Sequence, residues 1–278
     1  MTPRDLLRQT AVSFRSAGIP DPDTDAALLL SFLLGRPPLS LRLDTETDLP
    51  ESVLNDYAAL TKRRLNREPL QYVVGDAPFL GLLFYVDSRV LIPRPETELL
   101  CEWALDLLKE MPSPRILDLC CGSGCIGLSL KSRRPDSIVT LSDCSEDALA
   151  VSSENARRLN LDVSLNRGDL VAGLPDQAYD LVISNPPYIP SAACETLQPE
   201  VLREPRLALD GGGDGLDLYR RIAGEVPRVL KPGGILLLEL GIGESVPVAA
   251  LLSGAGFRQV AVRQDLAGID RMIGCFHP

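Results

Sequence analysis

Ile116-Leu117-Asp118-Leu119-Cys120-Cys121-Gly122-Ser123-Gly124-Cys125-Ile126-Gly127 is the stretch that decides the fold. An apolar run of strand length turns through small residues into a helical pattern. Small residues at such a turn let the backbone approach a nucleoside-bearing ligand closely. Asp118 falls at the strand tip, where a carboxylate can engage a cationic amino group. A turn of this kind is shared by dinucleotide-binding sheets and by purely structural strand-to-helix corners, so alone it points to a fold and leaves the ligand open.

Working outward, strands and helices alternate. Segments 115–120, 137–142, 162–166, 179–184 and 234–240 read as strands with helical patterns between most of them, and β-prone segments 258–263 and 272–276 follow. This pattern predicts an α/β fold with a mostly parallel, Rossmann-like sheet covered on both faces and ligands at the carboxyl ends of its strands. The first third is helical. Thr2 caps a helix with Pro3 at its first position, and Leu6, Leu7, Ala11 and Phe14 recur at helical spacing before Gly18. A second helix is predicted from Asp23 or Thr24 to Gly35, and a third over 51–67. After the third helix, 71–74, 78–80 and 82–86 are short β-prone runs broken by Gly75-Asp76 and Gly81. The resulting partition is a helical recognition domain over 1–70, a β-hairpin linker over 71–95 and a catalytic domain over 96–278.

Composition excludes several classes. The chain has 278 residues, 45% hydrophobic and 24% charged, as in ordinary soluble domains, and no apolar run near membrane-spanning length. With no secretion-signal pattern at the start, the cytoplasm is the expected location. Seven scattered cysteines do not form a disulfide framework, and Cys120-Cys121…Cys125 lacks the paired arms of a metal site, so no metal is expected. A single histidine, His277, disfavours a Ser-His-Asp mechanism. Residues 1–75 hold 9 basic and 10 acidic groups, leaving 19 basic against 28 acidic in the remainder, a net −9 out of −10. Phosphate-binding surfaces collect the opposite charge, so nucleic acid is disfavoured as substrate.

Two further motifs fall on strand ends. Asp143 closes Ile138-Val139-Thr140-Leu141-Ser142, about 20 residues past the glycine turn, the spacing at which an acid can accept from ribose hydroxyls. By itself it reads equally well as a helix cap. Arg167-Gly168-Asp169-Leu170 closes the next strand and could flank an adenine. After 179–184 comes Asn185-Pro186-Pro187-Tyr188-Ile189-Pro190. Two prolines remove two backbone donors, so the turn presents carbonyl oxygens; with the Asn185 side-chain oxygen, two acceptors can converge on one –NH2 group beside the Tyr188 ring. A conjugated nitrogen is a poor nucleophile, and accepting hydrogen bonds from both its N–H bonds raises its electron density and favours the pyramidal nitrogen of a transfer transition state. If the donor is a pre-activated methyl sulfonium, positioning supplies most of the catalysis and no strong base is needed.

With these residues quoted, the chain resembles the PrmC (HemK) family of peptide chain release factor glutamine N5-methyltransferases. The resemblance runs through Glu68-Pro69-x-Gln71-Tyr72, Gly75, Phe79 and Phe84. It continues through Val90-Leu91-Ile92-Pro93-Arg94-Pro95-Glu96-Thr97-Glu98, the tetrapeptide 185–188, Glu204-Pro205-Arg206-x-Ala208-Leu209 and Gly213-Asp214-Gly215-Leu216-Asp217-x-Tyr219-Arg220. It implies a seven-stranded class I S-adenosylmethionine methyltransferase sheet. It also implies a cofactor site of Asp118, Cys120, Cys121, Gly122, Ser123, Gly124, Asp143, Asp169, Leu170 and Asn185, with S-adenosylhomocysteine as product. Asn185, Pro186, Pro187 and Tyr188 would hold and activate the glutamine of the Gly-Gly-Gln motif of class 1 release factors. Two positions depart from the family pattern. Cys120 replaces a frequent glycine, which requires a negative φ here, and Leu170 stands where some members have an aromatic. Rival readings are a glutamine methyltransferase of a ribosomal protein, an exocyclic-amine methyltransferase of DNA or RNA, and a non-enzymatic cofactor sensor. The acidic charge speaks against the nucleic-acid rival, and the Asn185 acceptor against the sensor.

Overall fold

Strand β3 (Arg115–Leu119) is the hub of the larger of two units in the computed structural model, which describes all of residues 1–278. That unit comprises 76–197 and 204–278; the smaller comprises 1–75 and 198–203. β3 pairs in parallel with β4 (Ile138–Asp143) on one side and β6 (Tyr179–Ser184) on the other. With β5 (Ser164–Arg167), β7 (Leu230–Glu239), β8 (Arg258–Gln264) and β9 (Asp270–Phe276) the sheet has seven strands in the order β5-β4-β3-β6-β7-β9-β8. Only β9 runs against its neighbours.

The central strands are apolar on both faces because both are covered. One face, including Ile116, Leu141, Ile183 and Leu237, packs on α6 (Pro95–Leu107), α7 (Cys125–Arg133) and α8 (Glu146–Arg158). The other, including Leu117, Leu119, Val182 and Leu238, packs on α10 (Asp217–Glu225) and α11 (Ser245–Gly254). The chain proceeds outward from β3 to β4 and β5, then returns to place β6 on the opposite side of β3. The carboxyl ends of β3 and β6 therefore flank a topological switch point, the place where open parallel sheets bind ligands.

The smaller unit holds α1 (Pro3–Ser16), α2 (Pro22–Leu34), α3 (Pro38–Leu43), α4 (Glu51–Leu65) and α5 (Leu70–Val74). Thr2 Oγ1 caps α1 by accepting from Asp5 N, and Gly35 ends α2 at φ +63°. Arg64, 4% exposed at its side chain, donates to Asp25 at 2.7 Å and to Glu200 at 2.8 Å. Glu200 also accepts from Arg67. Those ion pairs explain why 198–203, distant in sequence, belongs to this unit.

Segment 71–74, read from its β-prone residues as extended, is instead α5. Pro69 precedes its first turn and Gly75 closes it at φ +80°, while the Arg63 guanidinium donates to the carbonyls of Tyr72 and Val73 and so caps the helix end. Burial of Tyr72 and Val73 overrides their strand preference. The hairpin that follows is shorter: β1 (Asp76–Phe79) pairs with β2 (Leu82–Tyr85) around Leu80-Gly81, both at positive φ, as a two-residue hairpin turn requires. The Glu98 carboxylate accepts from Leu80 N and steadies that turn. The helix α9 (Ser191–Cys194) completes the elements, and no helix is long and apolar enough to cross a membrane.

Candidate active site

The β3-to-α7 turn is held by backbone bonds. Cys121 N donates to Ser142 O, Gly124 N to Cys121 O, and Leu128 N to Gly124 O, so the turn leads directly into α7. Gly122 and Gly124 sit at φ +52° and +77°, a region glycine occupies without strain. Cys120 also lies in that region, at φ +59°. The negative φ required of a cysteine here is therefore not realised. The turn keeps the geometry suited to glycine, and Cys120 bears a left-handed conformation that costs about 1–2 kcal/mol.

Asp143 binds this turn from the next strand. Its Oδ2 accepts from Gly122 N at 3.0 Å and its Oδ1 from Ser145 N at 2.9 Å. The cap of α8 is Ser145, whose hydroxyl accepts from Ala148 N. Asp143 is half-buried and faces a cavity lined by Cys120, Cys121, Gly122, Ser123, Asp169, Leu170, Asn185 and Pro187, among others. Gly124 lies behind that wall, where a Cβ would meet Leu128, Leu141 and Ser152 at 3.1 Å. Asp169 is exposed and paired with Arg221, while Leu170 is buried against the apolar face beneath the cavity.

Asp118 does not line that wall. It is fully buried, Oδ2 accepts from Gly127 N at 2.8 Å, and Oδ1 has no partner. Burial pushes its carboxyl up to about 7, against the pull of the Gly127 bond. Gly127 permits the approach, since a Cβ there would meet Leu141 at 2.4 Å and the Asp118 side chain at 3.0 Å.

The tetrapeptide divides. Asn185 and Pro187 line the cavity, Pro186 is buried, and Tyr188 faces a second recess with Pro190, Asp214, Glu244 and Arg271. Burial raises the Tyr188 hydroxyl well above its ordinary value, with Glu239 adding to the rise. Neither the Pro186 nor the Pro187 carbonyl is taken by another backbone group. The turn is locked from below: Ile189 exchanges bonds with Leu209 and Gly211, and a Cβ on Gly211 or Gly215 would meet Tyr188 backbone at 2.7 Å and 2.4 Å. That close approach accounts for Gly211 and Gly215. Glu204, 6% exposed, accepts from Ile92 N and from Arg94, so it anchors the 90–95 segment.

The chain is similar to known proteins along nearly its whole length. The PrmC N-terminal domain model matches residues 5–75 and the Methyltransferase small domain model matches 97–221. The release factor glutamine methyltransferase of Geobacter sulfurreducens is 42% identical over 275 residues, 98% of this chain and 96% of that one. The chain belongs to the release factor glutamine methyltransferase family. The Deinococcus radiodurans member is likewise 42% identical, over 97% of this chain and 96% of its own. Among solved structures, a Pyrococcus furiosus methyltransferase shares the fold at TM-score 0.53 and 18% identity, covering 71% of this chain and 90% of that chain. The 16S rRNA N2 G1207 methyltransferase of T. thermophilus does so at 0.54 and 17%, covering 73% and 50%. These similarities mark the sheet as a class I methyltransferase sheet, as the family resemblance implies.

Proposed function

We propose that this chain methylates the side-chain amide nitrogen, N5, of the glutamine in the Gly-Gly-Gln motif of class 1 release factors, using S-adenosylmethionine. The observation that carries the reading is that Asn185 and Pro187 line the same cavity as the glycine turn and Asp143. A nucleoside donor and a flat –NH2 acceptor would thus meet at one switch point, in a chain whose relatives over nearly their full length are named for this reaction.

The residues fit the cofactor. Each Asp143 oxygen carries one backbone hydrogen bond and so keeps one acceptor position for a ribose hydroxyl. Cys120–Ser123 give a close backbone wall, and Leu170 offers an apolar surface to an adenine. Asp118, shielded behind the turn, acts through its hold on Gly127. S-adenosylmethionine, when bound, supplies a methyl group already activated as a sulfonium. Asn185 Oδ1 and a proline carbonyl accept from the two amide N–H bonds, orient the nitrogen lone pair and stabilise the positive charge that develops there. The proton leaves nitrogen after the methyl bond forms, so no buried base is called for. Residues 1–75 serve to dock the body of the release factor. Phe32, Leu39 and Leu43 are exposed there, at 50%, 68% and 71%.

The test is to incubate the protein with methyl-labelled cofactor and a mixture of release factors, ribosomal proteins and RNA, then locate the label by mass spectrometry. Label on the Gly-Gly-Gln glutamine is expected, and Asn185→Ala should abolish it while leaving cofactor affinity within about 3-fold. Label on a ribosomal protein or a base would refute the substrate.

A further inference from the structure

From Asn185 a buried polar chain runs through Thr97, at the cavity's lining, to Glu239, and the roles given to Asn185 do not account for it. Asn185 Nδ2 donates to Thr97 Oγ1 at 3.3 Å, and Thr97 Oγ1 donates to Glu239 Oε2 at 2.5 Å. Thr97 and Glu239 are each 2% exposed. Glu239 ends β7, whose Leu238 pairs with Ser184 of β6, so it lies beside Asn185 by register. Its backbone carbonyl is fixed by the Tyr219 hydroxyl at 2.7 Å. Thr97 sits in the first turn of α6, where its N–H donates to Arg94 O.

An amide side chain has two similar ends, and only one can accept from a substrate –NH2. Without a constraint, a 180° turn about the last bond would present donors to donors. An ionised carboxylate only accepts. Glu239 therefore requires the Thr97 hydroxyl to point its hydrogen toward the carboxylate, which leaves Thr97 only lone pairs to offer Asn185. The Asn185 end turned inward must then be its –NH2, and Oδ1 must face the cavity. We propose that Thr97 and Glu239 are positioning residues that set the polarity of the Asn185 amide for catalysis. This rests on the reading that Asn185 holds the acceptor –NH2.

The groups facing Glu239 bear on its charge state. Burial raises it, to about 7, and Glu96 of α6 adds to the rise. Thr97, Asn185 and Arg271 of β9 lower it. Tyr188, Cys101 and Cys125 face it too, each with its own acidity raised by burial first and by Glu239 among the lesser causes. Once protonated, Glu239 can donate to Thr97, which frees the Thr97 hydroxyl hydrogen to donate to Asn185 Oδ1. The amide is then free to turn over. Turnover should fall as pH drops through about 7.

The experiment compares Thr97→Val, Thr97→Ser, Glu239→Gln and Asn185→Ala on a Gly-Gly-Gln peptide with labelled S-adenosylmethionine. It measures kcat, peptide KM, S-adenosylhomocysteine Kd by calorimetry, and kcat against pH. Thr97→Val should lose about 10- to 100-fold in kcat, the scale of one mis-set hydrogen-bond group at a reacting centre, with Kd unchanged. Thr97→Ser should recover most of that loss, because the hydroxyl is all the argument needs. Glu239→Gln, able to donate or accept, should be slower than the parent and lack its acid limb near 7. The proposal is overturned if Asn185→Ala is inactive while Thr97→Val stays within about 3-fold of the parent. It is also overturned if Thr97→Ser is as impaired as Thr97→Val, or if Glu239→Gln keeps the acid limb. An active Asn185→Ala would instead remove the underlying reading of the site.

Discussion

Asp143→Ala separates two roles that one carboxylate combines. Its oxygens accept from Gly122 N and Ser145 N, so the substitution deletes one tie on the glycine turn and one on the entry to α8. A hydrogen bond to a charged group contributes about 1.5–3 kcal/mol, but Asp143 is half-buried and water can take over part of both bonds. The expected loss of stability is therefore about 1–3 kcal/mol in urea unfolding, below the simple sum. The second role uses the acceptor position left on each oxygen. Losing a ribose contact of this kind should weaken S-adenosylhomocysteine by about 1–3 kcal/mol, or about 5- to 150-fold in Kd by titration calorimetry. Asp143→Asn should fall between, since its single oxygen can serve only one of the two N–H groups and its –NH2 opposes the other. A drop in stability with Kd unchanged would refute the ribose assignment and leave Asp143 as a turn anchor alone.

Three other outcomes can be checked. Cys120→Val should destabilise by about 1–2 kcal/mol in urea unfolding, because a branched side chain tolerates φ +59° poorly, whereas Cys120→Gly should be neutral or slightly stabilising. Asp118 has a folded-state pKa raised by burial to about 7 from 3.8, so its stabilising contribution is complete below pH about 4 and is lost as pH rises toward 7. Asp118→Asn should accordingly flatten the fall in unfolding free energy across that window, by up to about 3–4 kcal/mol at its upper end; an unchanged slope would show that the buried carboxyl loses its proton as readily as in the unfolded chain. Deleting 1–75 should spare turnover on a short Gly-Gly-Gln peptide and cut it on an intact release factor, because those residues dock the body of the substrate. An equal fall on both would show that the smaller unit is needed for folding instead.

Legibility in the sequence followed the range of the interaction. β6 occupies 179–184 as its apolar run predicts, and the glycine turn, Asp143 and Asn185 all lie at strand ends, because local pattern sets strands and topology sets their ends. The helix at 70–74 was hidden because its cap is supplied by Arg63, outside the local pattern of Gln71-Tyr72-Val73-Val74. The role of Thr97 is not legible in its local sequence, since its partner Glu239 is 142 residues away. Gly211 and Gly215 look like ordinary loop glycines until Tyr188 is seen against them. Tyr188 follows Asn185 and Pro187 in the tetrapeptide, yet it lines the other recess, because the chain turns after the two prolines.

Three exceptions to folding rules cluster near the ends of β3 and β7. There, in strands whose central residues are mostly Leu, Ile and Val, Asp118 has an unpartnered buried oxygen, Cys120 a left-handed backbone and Glu239 a carboxylate at 2% exposure. Each lowers stability, and none improves packing. Cys120 lines the cavity at the switch point between β3 and β6, and Asp118 and Glu239 are buried outside its lining. Strain and buried charge persist only where the surroundings over-determine them. Here the surroundings are two apolar cores, one on each face of the sheet, that hold the strand ends rigid. A Glu239 carboxylate in a loose setting would rotate to water and lose its hold on Thr97. Held at the end of β7, it can impose a polarity on Asn185 that the asparagine alone could not keep.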